Sequence, residues 1–215
     1  METFQLAGSG PVYYEKHLVP LLFGPLAARL VALVDPGAGE TGLDVACGTG
    51  AVARQLIGAG VRVTGVDRNP DMLALARSLE PGVTWIEGDA QALALPAASF
   101  DLATCQQGLQ FMPDAAAALS SIHGVLRPGG RLAVAVWRPL HTCPGFDALT
   151  NALDARAGTA AGDVLRGPFA LGDCEPVREL LSRAGFTAVR VHNYCHPIRF
   201  ASVEELVRSE IASTP

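Results

Sequence analysis

Polar and apolar positions alternate between two periods along this chain. Short, nearly continuous apolar runs predict strands at 42–46, 61–67, 83–87, 100–105, 131–137 and 187–194. Between them the apolar residues recur at helical spacing. Val52 and Leu56 mark a helix over 51–56, ended by Gly58 and Gly60. Asn69-Pro70-Asp71 caps a helix with Met72, Leu75, Ala76 and Leu79 on one face, and Asp114 caps another with Leu119, Ile122 and Val125. A further helix runs over 175–184 and is closed by Gly185. Strands apolar on both faces, interleaved with helices, predict a mostly parallel sheet covered on both sides. Right-handed crossovers then make a doubly wound α/β domain, Rossmann-like in its layering.

The flanks follow other rhythms. Residues 11–34 read as a helical arm after a loose start, with Leu26, Leu30, Leu33 and Val34 in register and Asp35-Pro36-Gly37 as its stop. Pro20, Pro25 and Pro36 divide the apolar stretches, so none is expected to reach the roughly 20 residues that span a bilayer. Prolines and glycines interrupt 138–172 around one helix near 146–155. That region reads as an insertion shaping a substrate pocket, or as a plain surface excursion. Ser202-Val203-Glu204-Glu205 is a capping box that opens a last helix. The chain is thus expected to be a single domain over 1–215. It divides into an arm (1–36), a ligand-binding core (37–137), an insertion (138–172) and a C-terminal part of the core (173–215).

Composition narrows the function classes. The 215 residues are 49% hydrophobic and 17% charged, enough to bury a sizeable core. The net charge is −5 with no basic run, which argues against a nucleic-acid partner. Five cysteines with no C-x-x-C pair suggest neither a disulfide framework nor a zinc knuckle. The first residues lack a signal-peptide pattern, so a reduced, cytoplasmic protein is the simplest expectation. The oligomeric state stays open, with a dimer among the options.

Gly48-Thr49-Gly50 follows the first strand and opens a helix. Glycines there let the backbone approach a ligand whose polar end meets helix N–H groups. Gly48, Gly50 and Ala53 also satisfy the looser dinucleotide pattern, so a nicotinamide oxidoreductase must be weighed. Asp44, just before the turn, suits an ammonium or water-bridged amino acid better than a pyrophosphate. Asp67 ends the second strand, where a carboxylate takes ribose hydroxyls in either reading. Asp89-Ala90 after the third strand can meet an adenine amino group and has no part in the dinucleotide fingerprint.

Together the motifs resemble class I S-adenosylmethionine-dependent methyltransferases, particularly the small-molecule type of ubiquinone and menaquinone biosynthesis. The matching stretches are L-D-V-A-C-G-T-G (43–50), V-T-G-V-D-R-N-P-D-M-L (63–73), E-G-D-A (87–90), S-F-D-L-A-T-C-Q-Q-G-L-Q-F (99–111) and L-R-P-G-G-R-L (126–132). The resemblance implies S-adenosyl-L-methionine as cofactor, with S-adenosyl-L-homocysteine as product, and a small-molecule methyl acceptor. It implies that Asp44, Gly48 and Gly50 meet the methionine part and Asp67 the ribose. It places Arg68 and Met72 beside the adenine, and Asp89 and Ala90 at its amino edge and ring. Cys105 and Gln106 would floor the sulfonium, and Tyr13 or Tyr14 would close over the methionine end, with Tyr14 the residue carried forward.

Methyl transfer is an in-line displacement from an already activated donor, so the protein chiefly supplies approach geometry and a dry pocket. A base is needed only for a protonated nucleophile. His141 is the histidine best placed for that role, against the plainer reading of an exposed loop residue. Gln106, Gln107 and Gln110 are candidates to orient a substrate oxygen. Gln107-Gly108-Leu109 replaces the N-P-P-Y type motif of nucleobase amino-methyltransferases, which argues against that substrate. His192, Cys195 and His196 look like metal ligands, but on a strand the histidines would lie about 13 Å apart at roughly 3.3 Å per residue, so no metal is expected. Cys47 reads as a packed residue, because Asp44 would not stabilise its thiolate.

The expected reaction is methylation of an oxygen or carbon on a small apolar or aromatic molecule. A nicotinamide oxidoreductase and a non-catalytic S-adenosylmethionine-binding protein are the rivals. The family's folds usually finish with a hairpin whose last strand lies between the fifth and sixth. No such strand is visible here, so either 197–201 supplies a short substitute or the chain is truncated, the latter being preferred.

Overall fold

The computed structural model describes residues 10–207. The first five apolar runs become strands: β1 (Thr41–Val45), β2 (Arg62–Asp67), β3 (Thr84–Glu87), β4 (Phe100–Gln106) and β5 (Leu126–Ala135). They form one parallel sheet in the order β3-β2-β1-β4-β5. The order reverses beside β1, so the switch point lies between the carboxyl ends of β1 and β4. Pro128-Gly129-Gly130, which precedes the strand expected at 131–137, lies inside β5. There the pairing jumps from Phe100↔Leu126 to Leu102↔Arg131.

Alternation along each strand feeds two cores. Leu102 packs with Leu56 and Val52 of α3 (Ala51–Gly58) and with Ala27, Leu30 and Val34 of the arm. Its neighbours Ala103 and Cys105 join Leu119 and Ile122 of α5 (Ala115–Val125) on the opposite face. A third cluster packs Leu73 and Ala76 of α4 (Pro70–Leu79) on Trp85 and Cys47. Each such fully buried leucine contributes roughly 1.5–3 kcal/mol by leaving water. The expected caps are in place. Asn69 Oδ1 accepts from the N–H groups of Asp71 and Met72, and Asp114 Oδ1 accepts from that of Ala117.

The arm differs from expectation. Its prolines do not break it: helix runs without interruption over Gly10–Val34, and that run is long and apolar enough to cross a membrane. It consists of α1 (Gly10–Tyr13), a π-helical stretch (Tyr14–Phe23) and α2 (Gly24–Val34). A proline inside an α-helix loses a donor and clashes with the carbonyl four residues back. Here the turn around Pro20 widens instead, and the Gly24 N–H reaches the Val19 carbonyl. The run is docked on the domain, with Leu18, Leu22, Ala27, Leu30 and Val34 buried. Asp35, at φ 52°, ends it.

The insertion holds two helices rather than one, α6 (Pro144–Ala157) and α7 (Thr159–Arg166). Gly162 looks like a helix breaker in the sequence. Its role is close approach, since a Cβ there would lie 2.0 Å from Asp154 Oδ1. α8 (Cys174–Arg183) follows, and Gly185 at φ 97° closes it as expected.

The sixth strand does not form. Residues 187–201 carry no strand, including the proposed substitute at 197–201. A strand needs a ladder partner, and among the described residues none lies beyond β5 on the sheet's outer side. The capping box is present at the end of the description: Ser202 Oγ accepts from the Glu205 N–H, and Glu205 Oε2 from that of Ala201. Residues beyond 207, including most of the expected last helix, lie outside the described part.

Candidate active site

The carboxyl ends of the strands meet the arm and the insertion around a cavity of about 270 Å³. At its floor is the glycine turn. Gly50, at φ 86°, caps α3 with its backbone, and a Cβ there would meet Trp85 Cη2 at 2.5 Å. Gly48, at φ 54°, has open space where a Cβ would point, and it lines the cavity. The turn therefore presents bare backbone to the cavity, and α3 starts immediately behind it.

Three carboxylates were expected here, and they take different positions. Asp44 is 1% exposed and lies behind the turn, not among the residues lining the cavity. It accepts from the Ala53 N–H at 3.1 Å and from Thr104 Oγ1 at 2.9 Å. It thus clamps β1, β4 and the first turn of α3 together. Burial pushes its carboxyl up to about 7 against the pull of those two hydrogen bonds. Asp67 lines the cavity, and its two oxygens accept from the N–H groups of Gly48 at 2.7 Å and Asn69 at 2.8 Å. Burial holds it above the usual carboxylate range. Asp89 also lines the cavity, is bonded by the backbone and side chain of Gln91, and sits below that range for this reason.

The remaining expected residues divide in the same way. Tyr14, Arg68, Met72, Ala90 and Gln106 line the cavity, whereas Gly50, Cys105 and His141 do not. Tyr14 stacks on Phe23 at 4.8 Å. Desolvation first, then the nearby carboxylates of Glu15, Asp67 and Asp44, push its phenol well above the usual range, so it stays a donor. Cys105 is buried in the core, and burial pushes its thiol up to about 12. Cys47 is likewise pushed up by burial, which leaves it a packed thiol. His141 is exposed on the 3₁₀ turn Leu140–Thr142. Among the described residues no three His, Cys, Asp or Glu side chains are grouped to hold a metal. His196 Nε2 lies 3.2 Å from the Leu21 carbonyl.

The sequence did not reveal the aromatic part of the cavity wall. Trp137, Phe146 and Phe169 line the same cavity, with ring centroids 5.7–6.2 Å apart. They come from just past β5, from α6 and from the 3₁₀ turn Gly167–Phe169. No spacing rule links positions 137, 146 and 169. Only the break in the strand–helix rhythm pointed to this region. The arm adds Leu18, Leu22 and Phe23. It is tied to the glycine turn by Arg54, which donates to Glu15 Oε1 and to the Thr49 carbonyl, both at 2.7 Å.

A bare-backbone cradle at Gly48, acids at the ends of β2 and β3, and an apolar second compartment define a nucleoside-cofactor enzyme on a doubly wound sheet. The residues fit S-adenosylmethionine: Gly48 leaves room for close approach, and Asp67 and Asp89 bring carboxylates to the same cavity. A family model described as "Methyltransferase domain" matches residues 43–134. A nocamycin O-methyltransferase of Saccharothrix syringae is 34% identical over 204 residues, covering 86% of this chain and 72% of that one. A ubiquinone/menaquinone biosynthesis C-methyltransferase of Rubrivivax gelatinosus is 32% identical, covering 77% and 70%. The YcgJ protein of Bacillus subtilis shares the fold at TM-score 0.67 and 20% identity, covering 89% and 79%. The chain belongs to the S-adenosylmethionine-dependent methyltransferases, so its cofactor is S-adenosyl-L-methionine and the nicotinamide reading is set aside.

Proposed function

We propose that this enzyme methylates an oxygen or carbon of a small, flat, apolar or aromatic acceptor. The observation that carries this is the trio Trp137, Phe146 and Phe169, which lines the cavity together with Asp67 and Asp89. Three rings in mutual contact favour a conjugated ligand that stacks and excludes water. The names of the two relatives agree in kind, one an O-methyltransferase and the other a C-methyltransferase acting in quinone biosynthesis. When bound, the cofactor supplies an activated methyl group on a sulfonium. In this reading Asp67 receives the ribose hydroxyls, Gly48 faces the methionine part, and Arg68, Met72, Asp89 and Ala90 enclose the adenine. Tyr14 covers the methionine end as a hydrogen-bond donor. Residues 138–172 serve as the acceptor wall of a single methyltransferase domain that works in the cytoplasm.

The test uses tritiated S-adenosylmethionine and a panel of flat phenols, enols and aliphatic alcohols. Label should pass to aromatic or enolic members, and Trp137→Ala should raise the acceptor KM by about tenfold or more while the cofactor KM stays within about threefold. Transfer to the aliphatic alcohols alone would refute the acceptor class.

A further inference from the structure

Gln106 ends β4 at the switch point and lines the cavity. Its amide is only half satisfied. Nε2 donates to the Phe23 carbonyl at 3.0 Å, which fixes the plane of the amide and turns Oε1 away from that bond. Oε1 is buried and has no hydrogen-bond partner. A buried carbonyl in that state is costly and calls for a donor from a ligand. Trp137, Phe146 and Phe169 line the same cavity, and of these only the Trp137 indole carries a donor. Phe23 closes the π-helical stretch of the arm and stacks on Tyr14, so the docked arm itself sets the direction of the Gln106 carbonyl.

We propose that Gln106 Oε1 accepts a hydrogen bond from a hydroxyl on the acceptor, making the substrate a hydroxylated aromatic or enolic ring and Gln106 the residue that tells it from its methyl ether. This rests on the flat-acceptor reading above. A hydroxyl satisfies the carbonyl, whereas an ether oxygen has no hydrogen to give and leaves the carbonyl unpaired. Sites built around a hydroxyl reject analogues that lack it. For an oxygen acceptor the same contact holds a hydroxyl other than the one methylated, because an amide carbonyl cannot take the proton that methylation displaces. For a carbon acceptor it orients the ring through a hydroxyl that is retained. The neighbouring Gln107 is held separately: its Oε1 accepts from Gln110 Nε2 at 2.8 Å, and its N–H donates to the Ala135 carbonyl at 2.8 Å.

The test is calorimetric binding of 1-naphthol and 1-methoxynaphthalene to the full chain saturated with S-adenosylhomocysteine. The wild type should prefer the naphthol by about tenfold, the effect of one buried carbonyl left unpaired. Gln106→Leu should bring the two affinities within about twofold while S-adenosylhomocysteine affinity changes by less than about threefold. Gln106→Met, closer in shape, carries the same expectation and serves if the leucine variant does not fold. Equal binding of both probes to the wild type would overturn the proposal and leave the flat-acceptor reading standing. Binding of neither would overturn both. A larger loss of S-adenosylhomocysteine affinity than of naphthol discrimination in the variants would assign the carbonyl to the cofactor's ammonium, against the proposal.

Discussion

Asp44 carries a cost that depends on pH. Its carboxyl is pushed from an ordinary 3.8 to about 7, chiefly by burial. Between about pH 4 and pH 7 the folded protein therefore holds a proton that the unfolded chain releases. The stability this group contributes is full below about pH 4 and lost as pH rises through about 7, a few kcal/mol in all. Asp67, also raised by burial, adds the same sign. Asp44→Asn keeps an acceptor for the Ala53 N–H but cannot ionise. Urea midpoints at pH 5 and pH 8 should fall less between the two values in the variant than in the wild type, and equal falls would contradict this. The glycines divide at the same scale. A bulky residue at Gly50 would strike Trp85 and disturb the core, so Gly50 cannot report on the cofactor alone. Gly48 can, because its Cβ direction is open, and an alanine there costs only about 1–2 kcal/mol of left-handed backbone strain.

At the scale of elements, the arm is held to the site by the Glu15–Arg54 pair, whose side chains are 22% and 23% exposed. Such a pair contributes little to global stability, about 1 kcal/mol or less. Its effect should appear in rates, since Arg54 also grips the Thr49 carbonyl of the glycine turn. Arg54→Met is expected to speed S-adenosylhomocysteine release several-fold in stopped-flow tryptophan fluorescence, with Trp137 in the cavity wall as reporter. Release at the wild-type rate would mean the arm does not gate the cleft. The arm's helical spacing is legible in the sequence, but its continuity is not. Pro20 divides the apolar pattern, but a π-helical widening carries the helix past it, and Pro25 sits in the first turn of α2, where its missing N–H costs nothing. α7 was missed because Gly158 and Gly162 looked like breakers, although Gly162 is there for its closeness to α6. The 187–194 run has strand-like residues but no described neighbour to pair with, and local pattern carries no information about a partner.

For the whole molecule, the core was legible because the strands carry short apolar runs and three of them, β1, β2 and β4, lead into the helices α3, α4 and α5. Asn69 and Asp114 cap as their sequence contexts require. The side of the cavity formed by Gly48, Asp67 and Asp89 was legible too, since each lies at or just past the carboxyl end of a strand and the parallel sheet brings those ends to one edge. The side formed by Trp137, Phe146 and Phe169 was not, because these residues meet only through the packing of the region from β5 to the turn after α7. In the proposed function, this edge of the sheet holds S-adenosylmethionine against Gly48. This is tested most directly by isothermal titration of S-adenosylhomocysteine and NADH into the wild type and Gly48→Ala. One S-adenosylhomocysteine site with no NADH heat, and an affinity at least about tenfold weaker in the folded Gly48→Ala, is the predicted result. NADH binding without S-adenosylhomocysteine binding, or an affinity that Gly48→Ala leaves unchanged, would contradict it.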